Sequence, residues 1–376
     1  MELKHRHPGT AVTVLVAGLL GLAALGLACG GGGAKEDKHP TLTVNSTADS
    51  DKRDDELTLR EALLVATGKL SPADLSGEER DQVNGSPGAG SGDMVLFDES
   101  VFPQDDPATV MLDSSLPIMR TGKDVVDGKD RVIVDGKQST LVCFTIWSDA
   151  NELRNLRVHN CQTAILVREG VGNVIGRPGD GNLLSGNQVG IEVRAEGTII
   201  QDNTLGLDAR GLERMANEFE GIWVTSEARD TIIGGTGPGE GNLISSSGIF
   251  GISVEGALDT VIQGNVIGLD STGEKALGNK YGIAVQRGAG DTLIGGTEAG
   301  SGNVISGNAN GVLVRDAETT GTNIEGNNFG TDVAGEVEVA NSVDVWVINA
   351  GEHNVIGDNT SIEALKVSDN SGTEQP

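Results

Sequence analysis

The residues of this chain that could do chemistry are carboxylates, arginines and a few aromatic side chains at fixed positions of a repeat, Gly-[Ile/Val]-x-Val. The repeat begins at Gly190, Gly221, Gly251, Gly282 and Gly311, and a degenerate copy spans Ser342–Val345. The x positions are Glu192, Trp223, Ser253, Ala284, Leu313 and Asp344, and two residues further on lie Arg194, Thr225, Glu255, Gln286, Arg315 and Trp346. Acid–base chemistry on a glycan would need a carboxylate pair, or a carboxylate beside a base, on neighbouring repeats. These positions offer neither. A solvated mixed face is therefore expected, with Trp223 and Trp346 as candidate sugar or partner contacts.

A second recurring set consists of Asp208, Asp270 and Asp332, each three residues before a glycine. Asp at the first and Gly at the fourth position is the preference of a type I turn, which explains all three without a ligand. The alternative is a calcium site, which needs several oxygen atoms around one ion. The turn is the favoured interpretation, calcium is the one cofactor left open, and no zinc, phosphate or nucleophile motif is present.

The spacing of the repeat predicts the elements that carry these residues. The five complete copies start 31, 30, 31 and 29 residues apart. Each unit holds three short apolar segments separated by Gly, Asn or Asp, which is typical of a β-solenoid with three strands per coil. Aromatic residues make up only 3% of the chain and glycines number 56, as suits short strands and tight turns. We therefore predict an all-β parallel β-helix over residues 125–360. Asn187, Asn265 and Asn308 can tolerate left-handed backbone and can hydrogen-bond to neighbouring coils.

The segment before the repeats predicts a cap over residues 41–124 with entry strands. Thr58 and Glu61 have the spacing of a capping box, so a short helix should begin there. Leu59, Leu63 and Leu64 could form its apolar face. An amphipathic helix is a usual cover for the terminal coil of a solenoid.

The stretch Leu59-Arg60-Glu61-Ala62 resembles the signature of CSLREA-type cell-surface proteins, although Leu57 and Thr58 stand where that motif has Cys and Ser. With the coils, the resemblance covers most of residues 41–359. It implies a right-handed, pectate-lyase-like parallel β-helix with an outer groove lined by carboxylates, Lys or Arg and often calcium. This superfold holds lyases, hydrolases, epimerases and adhesins, so the resemblance indicates architecture and not activity.

The N-terminus has the features of an export signal. Lys4 and Arg6 precede an apolar run over residues 11–28, too short and too rich in Gly and Ala to favour the alternative of a transmembrane helix. Its end, Leu25-Gly26-Leu27-Ala28-Cys29, resembles the lipobox of bacterial lipoproteins, with departures at Gly26 and Leu27. The resemblance implies a signal peptide over 1–28, lipidation of Cys29 and a membrane partner; secretion without an anchor is the alternative.

The segments on either side of the folded part are expected to lack regular structure. Residues 29–40 read as a flexible tether and residues 361–376 as a disordered tail. The expected location is the bacterial cell envelope, as an outer-membrane lipoprotein, or the extracellular space.

The net charge and the two remaining cysteines give further expectations, the first about binding partners and the second about a disulfide. The net charge of −28 makes nucleic acid a poor partner, since phosphate backbones would be repelled. Cys143 and Cys161 fit either a disulfide or two buried thiols, and the sequence leaves both open.

Three functions remain. The leading hypothesis is a non-catalytic surface lipoprotein that presents a β-helix for adhesion or for binding a glycan or another partner. A polysaccharide lyase or glycoside hydrolase is the alternative, and a purely structural envelope component is the third.

Overall fold

The computed structural model describes residues 39–137 and 141–361 in full and the strand Val367–Asp369 by its backbone. The predicted signal peptide, Cys29, the tether as far as Lys38 and nearly all of the predicted tail lie outside the described residues. No helix among the described residues is long and apolar enough to cross a membrane.

The described chain forms three sheets whose strands are parallel, apart from one short antiparallel edge strand at Val83–Asn84. Sheet 1 contains, in spatial order, Val83–Asn84, Thr41–Val44, Met94–Phe97, Val125–Asp127, Glu152–Arg154, Val174–Ile175, Ile199–Ile200, Ile232–Gly234, Val261–Gln263, Leu293–Gly295, Asn323–Glu325 and Val355–Ile356. Sheet 2 contains Ala108–Met111, Val132–Asp135, Arg157–His159, Leu183–Leu184, Thr204–Leu205, Leu243–Ile244, Val266–Ile267, Val304–Ile305, Asn328–Phe329 and Thr360–Ser361. Sheet 3 has the longest strands: Val142–Trp147, Thr163–Glu169, Val189–Val193, Glu220–Val224, Phe250–Glu255, Tyr281–Gln286, Asn310–Arg315, Val343–Ile348 and Val367–Asp369.

The chain visits sheet 3, sheet 1 and sheet 2 in turn and returns to sheet 3 one rung further along. This is a right-handed parallel β-helix, as the repeat and the resemblance predict. Two strands of the predicted cap, Met94–Phe97 and Ala108–Met111, already pair with strands of the coils, and Thr41–Val44 pairs with Met94–Phe97.

Inward side chains stack into continuous aliphatic columns. In sheet 3, one column is Ile191, Ile222, Ile252, Ile283, Val312 and Val345, paired rung by rung. All six are fully buried, and each such side chain contributes about 1.5–3 kcal/mol through burial.

Two ladders of buried asparagines hold neighbouring coils in register. In the first ladder, each Nδ2 donates to the Oδ1 of the next asparagine at 2.8–3.0 Å and also to a main-chain carbonyl of a preceding coil. Its members are Asn182, Asn203, Asn242, Asn265, Asn303, Asn327 and Asn359. From Asn203 onward, each Oδ1 also accepts the main-chain N–H of the asparagine before it, and Asn182 Oδ1 accepts that of Leu156. These buried amides are therefore paired within the protein.

The second ladder precedes sheet 3 and has one gap. Asn187 bonds to Asn217, and Asn279 bonds to Asn308, which bonds to Asn341. Between the two runs lies Ser247, whose main-chain N–H donates to Asn279 Oδ1 at 2.8 Å. Its buried hydroxyl has no hydrogen-bond partner among the described residues.

The predicted hydrogen bonds of Asn187, Asn265 and Asn308 to neighbouring coils are confirmed, and the left-handed backbone that these residues can tolerate is not used. None of the three has a positive φ. The glycine before each of them takes that conformation instead, with φ of 71° at Gly186, 66° at Gly264 and 68° at Gly307. The asparagine stays in ordinary backbone because its side chain must point inward to reach the next rung.

The cap contains the predicted helix, α1, at Leu59–Ala66, followed by a 3₁₀ turn at Pro72–Asp74 and a second helix, α2, at Gly77–Asp81. The capping box is confirmed, since Thr58 and Glu61 each bond to the other's backbone N–H. Leu59 and Leu63 are buried as expected, but Leu64 is only half-buried, and Val65 and Ala66 complete the apolar face instead.

Cys143 and Cys161 are joined in a disulfide, the first of the two states left open by the sequence. The bond links strand Val142–Trp147 to the turn before Thr163–Glu169, and both residues are buried in the core. It ties the first coils of sheet 3 together.

The sixth repeat lies in a different register from the one expected. Val345 pairs with Val312, and Trp346 pairs with Leu313. The expected alignment of Ser342 with Gly311 is therefore off by two residues. A shift of two preserves the alternation of side chains, so Trp346 still faces outward, and it occupies the same column as Trp223.

The gap in the second ladder gives a stability prediction. Ser247→Asn should raise the free energy of unfolding by about 1–2 kcal/mol, because the new amide can bond to Asn279 and to a carbonyl of the preceding coil. Asn279→Ser should lower it by about 1–3 kcal/mol, because it opens an equivalent gap. Urea unfolding of both variants measures the two changes. A destabilising Ser247→Asn with a neutral Asn279→Ser would show that the ladder does not stabilise the coils.

Candidate functional site

The outward side of sheet 3, here called the long-strand face, gathers the side chains best placed to meet a ligand. Strict alternation would turn the residue before each repeat glycine inward. The structure instead turns the glycine inward, since a Cβ on Gly221 would lie 3.1 Å from Ile244 Cγ2 in the core. Gly221 and Ile222 therefore both face inward. As a result, the residue before them, Glu220, lies on the outer face. This column contains Val189, Glu220, Phe250, Tyr281 and Asn310 in register.

Two glutamates of the face are held by basic or amide partners. Glu192 receives the guanidinium of Arg194, with Nη2 2.6 Å from Oε1. Glu255 accepts from Gln286 Nε2 at 2.8 Å and from Arg287 Nη1 at 2.8 Å. Gln286 in turn accepts from Arg315 Nε at 2.6 Å, so one network runs across three successive coils.

Glu220 lies between these two glutamates, on the coil that separates them. Its pKa is raised to about 7, first by burial and then by the negative charges of Glu255 and Glu192, with Arg287 acting in the opposite direction. The prediction that no neighbouring coils share carboxylates, or a carboxylate beside a base, is therefore wrong. Glu220 was missed because period-two alternation turns it inward, and the recurrence of Phe250 and Tyr281 at the same position was the signal that could have found it.

Aromatic side chains continue the same face. Phe250 and Tyr281 stack with ring centroids 5.3 Å apart, one coil beyond Glu220. Lys280 lies over the Tyr281 ring at 5.6 Å. Trp223 is half-buried, and its indole Nε1 has no hydrogen-bond partner among the described residues. This nitrogen is itself buried, so the exposed part of the ring, and not its N–H, is what a ligand could contact.

The two candidate tryptophans do not form one contact. Trp223 and Trp346 share an outward column but are separated by four rungs, or about 19 Å at 4.8 Å per rung. One sugar unit could not contact both. Trp223 lies with the glutamates, whereas Trp346 lies near the C-terminal end of the described coils.

At the other end of the face, two arginines flank Trp147. The guanidinium carbons of Arg120 and Arg168 lie 4.1 and 5.2 Å from its ring centroid. Neither arginine forms an ion pair with an acidic residue within the described part of the chain. The chain has a net charge of −28, so two neighbouring arginines without acidic partners stand out from their acidic surroundings. Their cation–π contacts with Trp147 orient both guanidinium groups.

Asp208, Asp270 and Asp332 each begin a tight hairpin turn. The carbonyl of each accepts the N–H of the glycine three residues later, at 2.8, 3.0 and 3.1 Å. The carboxylates also accept backbone N–H groups of their own turns, such as Leu212 to Asp208 at 2.7 Å and Glu336 to Asp332 at 2.8 Å.

These hydrogen bonds from backbone N–H groups lower the pKa of the carboxyl groups at the hairpin turns. Donation from Glu213 and Val337 holds the pKa of Asp208 and Asp332 below the usual range. Among the described residues, no group of three or more His, Cys, Asp or Glu side chains is arranged to hold a metal ion. A calcium site at these turns stays a prediction.

Solved structures with a similar chain path are polysaccharide-acting proteins and a phage tailspike. The A-module of a mannuronan C-5 epimerase from Azotobacter vinelandii is 14% identical, with a TM-score of 0.40, and covers 75% of this chain and 82% of its own. An alginate lyase from a Paenibacillus species is 14% identical, with a TM-score of 0.43, and covers 73% and 90%. A pectate lyase is 12% identical, with a TM-score of 0.37, and covers 73% of each chain. None of these likenesses assigns a role to a residue of this chain.

No protein-family model matches the sequence. No curated protein matches it either. The parallel β-helix is confirmed in the fold, while the CSLREA resemblance of residues 57–63 stays a prediction.

The raised pKa of Glu220 gives a pH-dependent stability prediction. Between pH 4.5, its ordinary pKa, and about 7, the folded protein holds a proton that the unfolded chain releases. The stabilisation from that proton is fully present below pH 4.5 and is lost as the pH rises to about 7. Glu220→Gln stays neutral, so it should be more stable than the parent protein at about pH 8, by about 1–3 kcal/mol.

The measurement is the difference in unfolding free energy between Glu220→Gln and the parent protein from about pH 5 to pH 8. Glu218→Gln, an exposed change two residues away, is the matched control and should give a difference that does not vary with pH. A pH-independent difference for Glu220→Gln as well would contradict the raised pKa.

Proposed function

We propose that this protein is a glycan-binding protein of the bacterial cell envelope whose long-strand face binds a polysaccharide along the axis of the β-helix. One observation carries the proposal. Trp147, Trp223, Phe250 and Tyr281 lie on the outward side of sheet 3, on the first, fourth, fifth and sixth of its strands, among glutamates and arginines. Aromatic rings with adjacent polar groups suit a sugar chain, because one part of each unit is apolar and the other forms hydrogen bonds.

The geometry of the sheet favours a long, extended ligand. Rungs repeat about every 4.8 Å, so the span from Trp147 to Tyr281 covers five rungs, or about 24 Å. A chain of several sugar units can contact it throughout. The ring of Trp223 and the stacked pair Phe250 and Tyr281 lie in the middle and far part of this span.

The charges favour a polysaccharide with anionic groups at one end of the span. Arg120 and Arg168 have no acidic partner in the described chain and present guanidinium edges beside Trp147. Guanidinium binds carboxylate or sulfate oxygens through paired hydrogen bonds. The rest of the molecule is strongly acidic, so these two side chains would carry most of the attraction.

A second candidate, a glycoside hydrolase, is favoured by one observation. Glu220 has a pKa of about 7, raised by burial and by Glu255 and Glu192. Such a carboxyl is about half protonated at neutral pH and can donate a proton to a leaving oxygen, while a second carboxylate supports the positive charge or activates water.

Binding is tested with the full-length protein and a panel of acidic and neutral polysaccharides, by co-sedimentation at two salt concentrations. Arg120→Ala combined with Arg168→Ala should weaken binding of an acidic member about tenfold or more. The control double variant, Arg210→Ala with Arg214→Ala, makes the same change in net charge on a hairpin away from this face. Equal losses in both double variants would contradict a specific site at Trp147.

The two candidate functions are separated by polymer length. Bound polymers that keep their length support the binding protein. Shortened polymers with new chain ends support the hydrolase, provided that Glu220→Gln abolishes the shortening and preserves binding.

The proposed envelope location rests on residues 1–29, which resemble an export signal followed by the lipobox of bacterial lipoproteins with its cysteine, Cys29. Cys29→Ser should move the protein from the membrane fraction to the soluble fraction of the producing cells, since an acyl anchor supplies the membrane affinity. Fractionation with detection of the folded domain measures this. A Cys29→Ser protein that stays in the membrane fraction would contradict the anchor.

A further inference from the structure

Two buried aspartates lie at the junction between the cap and the first coil of the β-helix. Asp93 precedes the cap strand Met94–Phe97, and Asp124 precedes the strand Val125–Asp127, which pairs with the cap strand in sheet 1. The two aspartates are 0% and 1% exposed. Carboxylates are rarely buried to this degree unless a basic group neutralises them. Neither aspartate forms an ion pair within the described part of the chain.

The two aspartates occupy the first rungs of a third ladder, which precedes sheet 1. Asp93 N–H donates to Asp124 Oδ1 at 3.0 Å, and Asp124 N–H donates to Asn151 Oδ1 at 3.2 Å. Asn151 donates both its N–H and its Nδ2 to Asn173 Oδ1, at 2.9 and 3.0 Å, as the asparagines of the first ladder do. A carboxylate at position 124 has no hydrogen for the equivalent bond to Asn151, whereas a protonated carboxyl group has one.

The surroundings of Asp124 favour this protonated form. Burial raises the pKa of Asp124 to about 6, and the negative charge of Asp93 adds to the rise, against hydrogen bonds from Asp93 N–H and the Thr121 hydroxyl. Lys123, the neighbour of Asp124 in the chain, is exposed and forms no ion pair with either aspartate among the described residues.

Asp93 is shifted in the same direction. Burial raises its pKa, against hydrogen bonds from the Ser91 hydroxyl and Gly88 N–H and against the charge of a protonated His39. Two buried carboxylates on adjacent rungs repel each other when both are ionised, so the two aspartates titrate as a coupled pair.

Thr121 connects this pair to the cap helix. Its Oγ1 lies 2.9 Å from Asp124 Oδ2 and 3.4 Å from Ala66 O, at the C-terminal end of α1. The last carbonyls of a helix have no partner within the helix, so Ala66 O depends on such an outside donor. A hydroxyl group has one hydrogen, and Thr121 therefore cannot donate fully to both oxygens. An ionised Asp124 attracts that hydrogen, because charge-assisted bonds are the stronger ones.

We propose that Asp93, Asp124 and Thr121 form an acid-dependent latch that holds α1 on the first coil. In the closed latch, the protonated Asp124 donates Oδ2–H to Thr121 Oγ1, and Thr121 donates its own hydrogen to Ala66 O. Loss of the proton turns the Thr121 hydroxyl towards Asp124, leaves Ala66 O without this donor and places two buried negative charges at the junction. The cap then separates from the coil more readily. The latch is distinct from the long-strand face and does not depend on its function.

The pH range of the latch follows from the direction of the shift. Asp124 has an ordinary pKa of 3.8 and a pKa of about 6 when the cap is docked. The stabilisation from its proton is fully present below pH 3.8 and is lost as the pH rises through about 6. The latch is therefore closed in acidic surroundings and weakened at neutral pH.

The charged side chains of α1 itself are Arg60 and Glu61. Arg60 Nε donates to Asp49 Oδ1 at 2.8 Å, and Arg53 Nη2 donates to Glu61 Oε1 at 2.7 Å. Burial raises the pKa of Glu61, so Glu61 adds a pH dependence of the same sign. The test must separate this contribution from that of Asp124.

Hydrogen exchange of the full-length protein at about pH 5 and about pH 7 tests the latch. The protection factors of the α1 amides, Leu59–Ala66, should fall about tenfold between these values, because opening returns the pKa of Asp124 from about 6 to 3.8. Equal protection at the two pH values would overturn the proposal. So would a carbon-13 titration of the Asp124 carboxyl group with a midpoint near its ordinary pKa, a measurement that needs no variant.

Two variants with matched controls separate the parts of the latch. Asp124→Asn keeps the ladder, since its amide can donate to Asn151, and should remove most of the fall in α1 protection. Asp105→Asn, an exposed change with the same loss of charge, should leave the fall unchanged. Thr121→Val removes only the hydroxyl and should lower α1 protection at about pH 5 to the level of about pH 7. Thr109→Val, at an exposed strand position, should not.

A fall of the parent size in Asp124→Asn would overturn the latch and assign the pH dependence to Glu61. Full α1 protection at about pH 5 in Thr121→Val would also overturn it, because the hydroxyl would then not connect Asp124 to the helix.

Discussion

The contact between one coil and the next is the interaction on which the rest of this structure depends. A single coil cannot bury its aliphatic side chains or satisfy the polar groups of its turns. Stacking does both, through columns such as Ile191 to Val345 and through ladders such as Asn182 to Asn359. The ladders also fix the register, because an amide one residue out of place would lose its bond and bury an unpaired polar group.

Fixed register makes outward residues of different coils neighbours over long sequence distances. Glu192, Glu220 and Glu255 are far apart in the chain, yet the charges of Glu192 and Glu255 help to raise the pKa of Glu220, because each lies one rung from it. Arg120, Trp147 and Arg168 meet in the same way. On this scaffold the stacking supplies the geometry, and the outward side chains, which stacking does not constrain, supply the specificity.

The features that recur from coil to coil could be predicted from the sequence. The features in which one coil differs from the others could not. The β-helix, the capping box at Thr58 and the hydrogen-bonding role of Asn265 could be predicted because they rest on period, spacing and local chemistry. Glu220 could not be placed, because the inward glycine after it interrupts the alternation on which the prediction relied. The register of Trp346 was wrong by two residues, since the last repeat has lost its glycine. Cys143 and Cys161 come within bonding distance only because their coils stack. Their spacing in the sequence therefore did not show whether they form a disulfide.

A crystal structure with a bound acidic oligosaccharide would test directly whether the stacked coils present a glycan-binding track on the long-strand face. We expect the sugar chain to run obliquely over this face, from the Phe250–Tyr281 pair across Trp223 to an acidic group bound between Arg120 and Arg168. An oligosaccharide bound across the hairpin loops, at an end of the helix, or perpendicular to the axis would contradict it.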